Sequence, residues 1–147
     1  GYSLRIAAED NLLAAYHVVE DAFLEWAGRD KSSFEDWLSG VTGRPGHQPW
    51  NLQVVTDPAG EVVGAVHVTL SEDTVTGYVD KVAVRADQRH RGLARALLVA
   101  AFRSAREHGA SRSELSTDSR TGALDLYLAI GMEVDSTWVN LGIEVAR

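Results

Sequence analysis

The spacing of apolar and polar residues changes several times along the chain, and each change marks an element. Residues 4–7 alternate briefly, as a first strand would. From there Leu12, Leu13, Tyr16, Val19, Phe23 and Leu24 recur at helical spacing, which predicts a helix to about residue 25 with Asp10 as its N-cap. Ser32 or Ser33 would cap a second, short helix with Phe34, Trp37, Leu38 and Val41 turned inward. Tyr16, Phe23 and Trp26 are assigned to core packing. Residues 43–49 form a loop by composition. A strand over 52–56, a turn at Asp57-Pro58-Ala59-Gly60 and a strand over 61–70 make a hairpin. Gly64 inside it marks a bulge or a close approach, and His67 counts as an ordinary strand residue.

A turn at 71–74 leads to a third strand over 75–84. A helix rich in Ala and Leu follows Gly92 and ends near His108-Gly109. Gly109 suits the position just past a helix, and Arg106 and His108 suit the negative end of its dipole. A short strand over 113–116, a helix over 121–130 stopped by Gly131, and strands over 132–135 and 137–145 complete the order. Strand, helices, an antiparallel run, then strand–helix units imply an α+β fold with a central mixed, mostly antiparallel sheet flanked by helices. The 147 residues show no repeat, low-complexity tract or linker, so one domain over 1–147 is expected.

Composition narrows the function. The net charge of -7 makes nucleic acid an unsuitable partner. With no Cys, disulfides, Cys metal sites and a Cys nucleophile are excluded. The five histidines lack a tight ligand spacing, and no metal is expected. Neither a G-x-S-x-G elbow nor a GK[ST] phosphate loop is present. No apolar run reaches membrane-spanning length and no signal peptide is visible, which fits a cytoplasmic protein without a membrane partner. The chain starts with Gly1 rather than Met, so it is expected to be processed or cut from something longer.

Against this acidic background the turn after the third strand is basic. Arg89-His90-Arg91-Gly92-Leu93-Ala94 opens the long helix, with Arg85 and Arg95 nearby. No Ser, Thr, Asp or Asn stands at the helix start, so its first N–H groups lack a side-chain cap. Gly92 leaves the backbone bare there. Bare N–H groups, the helix dipole and added positive charge make an anion site suited to phosphate. The dipole is worth only about 0.3–1 kcal/mol, so the arginines and N–H bonds must carry most of the affinity.

In this strand–turn–helix context, Arg89-x-x-Gly92-x-Ala94 resembles the acyl-CoA pyrophosphate loop of the GNAT superfamily of N-acyltransferases. The segment from Gly122 to Met132 resembles the family's A-x-x-L-Y-x-x-x-G-F stretch: Ala123, Leu126, Tyr127 and Gly131 match, and Met132 replaces Phe. The element order matches the GNAT fold along the whole chain. The resemblance implies acetyl transfer from acetyl-CoA, as cosubstrate, to an amine-bearing acceptor of unidentified nature, by direct attack in a ternary complex. Arg89, His90, Arg91, Gly92, Leu93, Ala94 and Arg95 would hold the pyrophosphate. Val82, Ala83 and Val84 would offer backbone groups to the pantetheine arm. Where the family often has an Asn contacting the cofactor, this chain has Arg120; Ser119 or Arg120 would substitute, or that stretch is a plain helix start.

Thioester-to-amine transfer also needs a proton acceptor, because a lysine-like amine with a pKa of about 10.4 arrives charged. It needs a proton donor for the leaving thiolate too. The resemblance gives the second role to Tyr127, whose phenol is protonated at neutral pH; the alternative is a Tyr packed on its helix. For the first, Asp80 and Tyr78 are candidates, read as sharing one strand face with Val82 and Val84. Asp80 stands one or two positions from where the resemblance places a carboxylate acting through water, and the alternative is a carboxylate paired with Arg or capping a loop. The wording of the second motif and the opening Gly1-Tyr2-Ser3-Leu4-Arg5 also resemble one half of tandem GNAT proteins, a group that includes mycothiol synthases. A CoA-binding half without turnover, with a partner GNAT domain or a homodimer, is therefore the alternative.

Overall fold

A computed structural model of the chain describes residues 1–24, 30–71 and 75–115. Contacts divide the backbone into two compact units, Gly1–Glu114 and Leu115–Arg147. The elements assigned to 121–145, and Trp26, Ser119, Arg120 and Tyr127, lie outside the described residues.

In chain order the elements are β1 (Ser3–Ile6), α1 (Leu12–Leu24), α2 (Phe34–Gly40), β2 (Leu52–Thr56), β3 (Val62–Leu70), β4 (Thr76–Val84), α3 (Leu93–Glu107) and β5 (Arg112–Leu115). The sheet order is β1-β2-β3-β4-β5, and the first four strands pair antiparallel with their sequence neighbours. Ser111 and Arg112 both donate backbone N–H bonds to Val75 O, so β5 starts beside the start of β4. This is where a strand–helix–strand crossover through α3 would return it.

The start of α1 departs from expectation. Asp10 is not the cap: it sits in a tight turn over Glu9–Asn11. Asn11 closes that turn instead, its Oδ1 accepting the Ala8 N–H at 2.9 Å. At α2, Ser33 is the cap, and its Oγ accepts the Asp36 N–H at 3.1 Å. The hairpin turn is held by Asp57, whose Oδ1 accepts from both Ala59 and Glu61.

Both sheet faces are covered. Adjacent residues Ala65 and Gly64 of β3 point to opposite sides. On one side Ala65, Ala83, Val54 and Leu52 form a core with Ala15, Tyr16, Val19, Trp37 and Val41 from α1, α2 and the residue after it. On the other lies α3, whose Leu93, Leu97, Leu98, Ala101 and Ala105 are buried. Gly64 is the close approach expected there: a Cβ on it would lie 2.7 Å from Val55 Cγ1 and 3.1 Å from Leu97 Cδ1. The β2–β3 register also slips beside it, between Val55 and Thr56.

A second slip shapes the site. On β3, His67 pairs with Lys81 but Val68 pairs with Val79, which leaves Asp80 as the extra residue of a bulge on β4. Gly77 and Ala83 are six residues apart and would share a face in an unbroken strand. Instead Gly77 lies against Ala105 of α3, while Ala83 packs in the α1 core. The bulge therefore corrects the sequence expectation that Tyr78, Asp80, Val82 and Val84 share one face: the alternation is broken at Asp80.

Candidate active site

Two neighbouring features of β4 carry the site, one at its C-terminal end and one at its bulge. At the end the chain leaves the sheet through a tight turn over Ala86–Gln88 and enters α3. His90 and Gly92 both adopt left-handed backbone, with φ of 64° and 81°. That region is costly for most side chains; histidine tolerates it better than most, and glycine adopts it freely. Gly92 is the N-cap of α3, and no side chain caps the helix. The N–H groups of the first turn have no intrahelical acceptor. A Cβ on Gly92 would find nothing within 4 Å among the described residues.

The arginines divide into two sets. Arg85 is occupied: its Nε donates to Asp87 at 2.7 Å and its Nη1 lies 3.6 Å from Glu61. Arg89 donates from Nε to Val84 O at 3.1 Å, bracing the turn against the strand. Arg91 and Arg95 are exposed, while Leu93 is buried beneath them. A hollow of about 690 Å³ opens near this turn, between α1 and the ends of the β-hairpin, with Arg5, His17, Asp21, Arg85 and Arg89 among its walls.

The ladder sorts the β4 backbone groups. Arg85 N–H bonds to Val63 O at 2.8 Å. Pairs that exchange hydrogen bonds alternate with pairs that do not, so Ala83, opposite Ala65, spends its groups on β3. Val82 and Val84 turn theirs away from β3, and Val84 O is taken by Arg89. Of the three residues expected to face a pantetheine arm, Val82 thus has both backbone groups directed off the ladder, Val84 its N–H, and Ala83 neither.

At the bulge the side chains do the work. Asp80 Oδ2 receives Lys81 Nζ at 2.6 Å and lies 3.2 Å from His67 Nδ1. The His67 hydrogen bond, then those of Lys81 and its charge, hold the Asp80 carboxyl well below the ordinary carboxylate range, although burial pushes the other way. His67 is 1% exposed, and its Nε2 has no hydrogen-bond partner among the described residues. Nor has the buried Nδ1 of His47. Both histidines line a hollow of about 120 Å³ formed by the 44–51 loop and the end of β3. Burial, then the proximity of His67, lowers the His47 pKa from its ordinary value.

Sequence reasoning took His67 for an ordinary strand residue and did not single out His47. The available signal was Asp80-Lys81, two polar residues in succession within an alternating strand, where a period slip was visible. Among the described residues no group of His, Asp and Glu side chains could hold a metal ion, and no helix is long and apolar enough to cross a membrane.

This fold and this uncapped, glycine-entered helix are those of a class of acyl-CoA-dependent transferases. Residues 12–132 match the model of the acetyltransferase (GNAT) family, and the chain belongs to that family. It is an acyltransferase by that membership, of a family that acetylates amines from acetyl-CoA. Among solved structures it is similar to a putative acetyl transferase from Pyrococcus furiosus, with TM-score 0.76 and 19% identity over 97% of this chain and 100% of the other. It is also similar to a GCN5-related N-acetyltransferase from Sphaerobacter thermophilus, with TM-score 0.75 and 32% identity over 92% of this chain but 42% of the other. A tandem GNAT protein from the clavulanic acid biosynthesis pathway aligns with TM-score 0.73 and 20% identity over 89% of this chain and 43% of its own. The chain thus spans less than half the length of the last two. No curated protein matches it.

Proposed function

We propose that the chain transfers the acetyl group of acetyl-CoA to a primary amine by direct attack in a ternary complex, with residues 1–147 acting as one acetyltransferase domain. The observation that carries this is the open corner at Gly92, where left-handed backbone, an uncapped helix start and exposed Arg91 and Arg95 combine. The N–H groups from His90 to Arg95 would bind the pyrophosphate. Arg89 would contribute by bracing the turn, because its Nε is already engaged with Val84. Val82, and the N–H of Val84, would guide the pantetheine arm. Ser119 or Arg120 would add a contact, and Tyr127 would protonate the departing thiolate. Asp80 would belong to the proton-accepting side, at the bulge.

Calorimetric titration with acetyl-CoA, followed by thiol release over a panel of primary amines, tests the proposal. Saturable binding with amine-dependent release is the expected result. Binding with no release for any amine would leave a CoA-binding half of a tandem protein. That second reading is favoured by the 32% identical relative being more than twice as long as the aligned stretch. Tyr127→Phe is expected to lower kcat more than acetyl-CoA affinity, and unchanged kcat would remove Tyr127 from the chemistry. The protein is expected to work in the cytoplasm, alone, as a homodimer or beside a partner GNAT domain.

A further inference from the structure

We propose that His67 and His47 form the exit path for the proton released in acetyl transfer, with Asp80 as the positioning residue that fixes the His67 ring. The inference rests on the acetyltransferase reading above and assigns that site its proton route. When an ammonium is acetylated, a C–N bond forms, the thioester C–S bond breaks and two N–H protons are lost. One leaves on the sulfur as a thiol. The other must reach solvent, and the fold has to let it out.

The bulge corner has the parts for this. His67 Nδ1 faces Asp80 Oδ2 at 3.2 Å. A hydrogen on Nδ1 is the arrangement that bonds an ionised carboxylate, and it leaves the Nε2 lone pair bare. Among the described residues Nε2 is buried and unpartnered, as is His47 Nδ1, and both residues line the same hollow of about 120 Å³. Buried polar nitrogens are rarely left without a partner, and two sharing one hollow mark a place for water. A hollow of this size holds several water molecules. His47 as a residue is half-buried, so the path runs from the buried His67 through the hollow towards the surface.

Among the described residues, the charged and titratable groups beside His67 are Asp80 and Lys81 from β4 and Arg44 and His47 from the loop. Lys81 shares Asp80 Oδ2 at 2.6 Å, so the carboxylate lies between a cation and the His67 ring. Asp80, held ionised by its two partners, is poorly suited to keeping a proton, which makes His67 the better proton carrier at this corner.

Two measurements on the full chain decide the matter. Long-range ¹⁵N–¹H NMR of the histidine rings at neutral pH is expected to find the His67 hydrogen on Nδ1 and none on Nε2. A hydrogen on Nε2 would overturn the path, whatever the protein catalyses. His67→Gln and His47→Gln are then compared with wild type for acetyl-CoA affinity, kcat and pH profile, using the amine that wild type acetylates fastest. His67→Gln is expected to bind acetyl-CoA within about twofold of wild type and to lose about 100-fold in kcat. His47→Gln is expected to lose about tenfold and to recover with added imidazole. A folded His67→Gln with wild-type kcat and an unchanged pH profile would also overturn it. Failure of the acetyltransferase reading looks different: wild type itself would release no thiol with any amine, while the NMR experiment would still decide the ring arrangement.

Discussion

The two ends of the candidate site use opposite means. At the turn into α3 the chain offers backbone: a left-handed Gly92, open space before it, and no side-chain cap. At the bulge the chain offers side chains in a partly buried network: Asp80 between Lys81 and the buried His67, with His47 across a small hollow. The first is exposed and local in sequence. The second is half-buried and assembled from three separate segments. A site built from backbone tolerates side-chain change but not the loss of its glycine. A site built from buried polar side chains fails when any one partner is lost, because the others keep the cost of burial.

The largest effect should come from Gly92→Glu. Left-handed backbone costs a non-glycine residue about 1–2 kcal/mol, and a carboxylate there would occupy and repel the place of a phosphate. Acetyl-CoA affinity measured by calorimetry is expected to fall at least about 100-fold, while Tm falls by only a few degrees from the backbone strain, since a Cβ at 92 meets no neighbour among the described residues. Unchanged affinity would remove the turn from the binding site and, with it, half of the contrast.

Asp80→Asn tests the other half. It removes the charge that Lys81 and His67 share but leaves the turn untouched. kcat is expected to fall about 100-fold while acetyl-CoA affinity stays within about threefold. The variant also carries a stability signature. The carboxyl is lowered in the fold, so its contribution is present above the ordinary carboxylate pKa of about 3.9 and is lost as the pH falls towards the folded value. Wild type should therefore lose its advantage in Tm over Asp80→Asn on acidification below about pH 4. Parallel Tm curves for the two proteins would show that the carboxylate is not held as the geometry indicates.

This contrast explains which parts were legible in the sequence. The turn was readable because its chemistry follows from one glycine, a missing cap and the residues beside them. The mixed sheet and its order were readable because alternation and helical spacing are local. The bulge was half visible, in the consecutive polar pair Asp80-Lys81, but which face each later residue of β4 takes depends on its pairing with β3. The pairing of His67 with Asp80 depends on the register of two strands. The facing of His67 and His47 depends on where a loop folds back. Neither is a property of any one stretch. Asp10 failed as a cap for a related reason: Asn11, one residue on, reached the Ala8 N–H first.

A packing change should have an intermediate effect and should bear unequally on the two ends. A Cβ on Gly77 would stand 2.5 Å from Ala105 Cβ, an atom fixed to the α3 backbone. At Gly64 the closest atoms are the side-chain methyls Val55 Cγ1 and Leu97 Cδ1, at the longer distances of 2.7 and 3.1 Å, with Ala83 O at 3.3 Å. Gly77→Ala is therefore expected to cost about 1–3 kcal/mol by chemical denaturation and Gly64→Ala less. Gly77 precedes the bulge by three residues, so its strain should disturb Asp80 while leaving acetyl-CoA affinity nearly intact. A reversed order of the two costs would mean that α3 and β4 are less firmly packed than their contact indicates.

The smallest effect isolates the far side of the hollow. His47 has a lowered pKa, chiefly because burial disfavours its charged form. In the unfolded chain it takes up a proton near the ordinary histidine value of about 6.5. The folded chain does so only at lower pH, so between the two values the unfolded state binds more protons and stability rises with pH. The contribution is complete above about pH 6.5 and is lost as the pH falls below it. Replacing His47 with Gln removes this dependence without adding charge. The Tm difference between wild type and His47→Gln should therefore shift against wild type on going from about pH 7.5 to 5.5, by no more than a few degrees. If the difference stays constant across that range, the ring is open to water on both nitrogens, and the hollow does not separate a buried end from an exposed one.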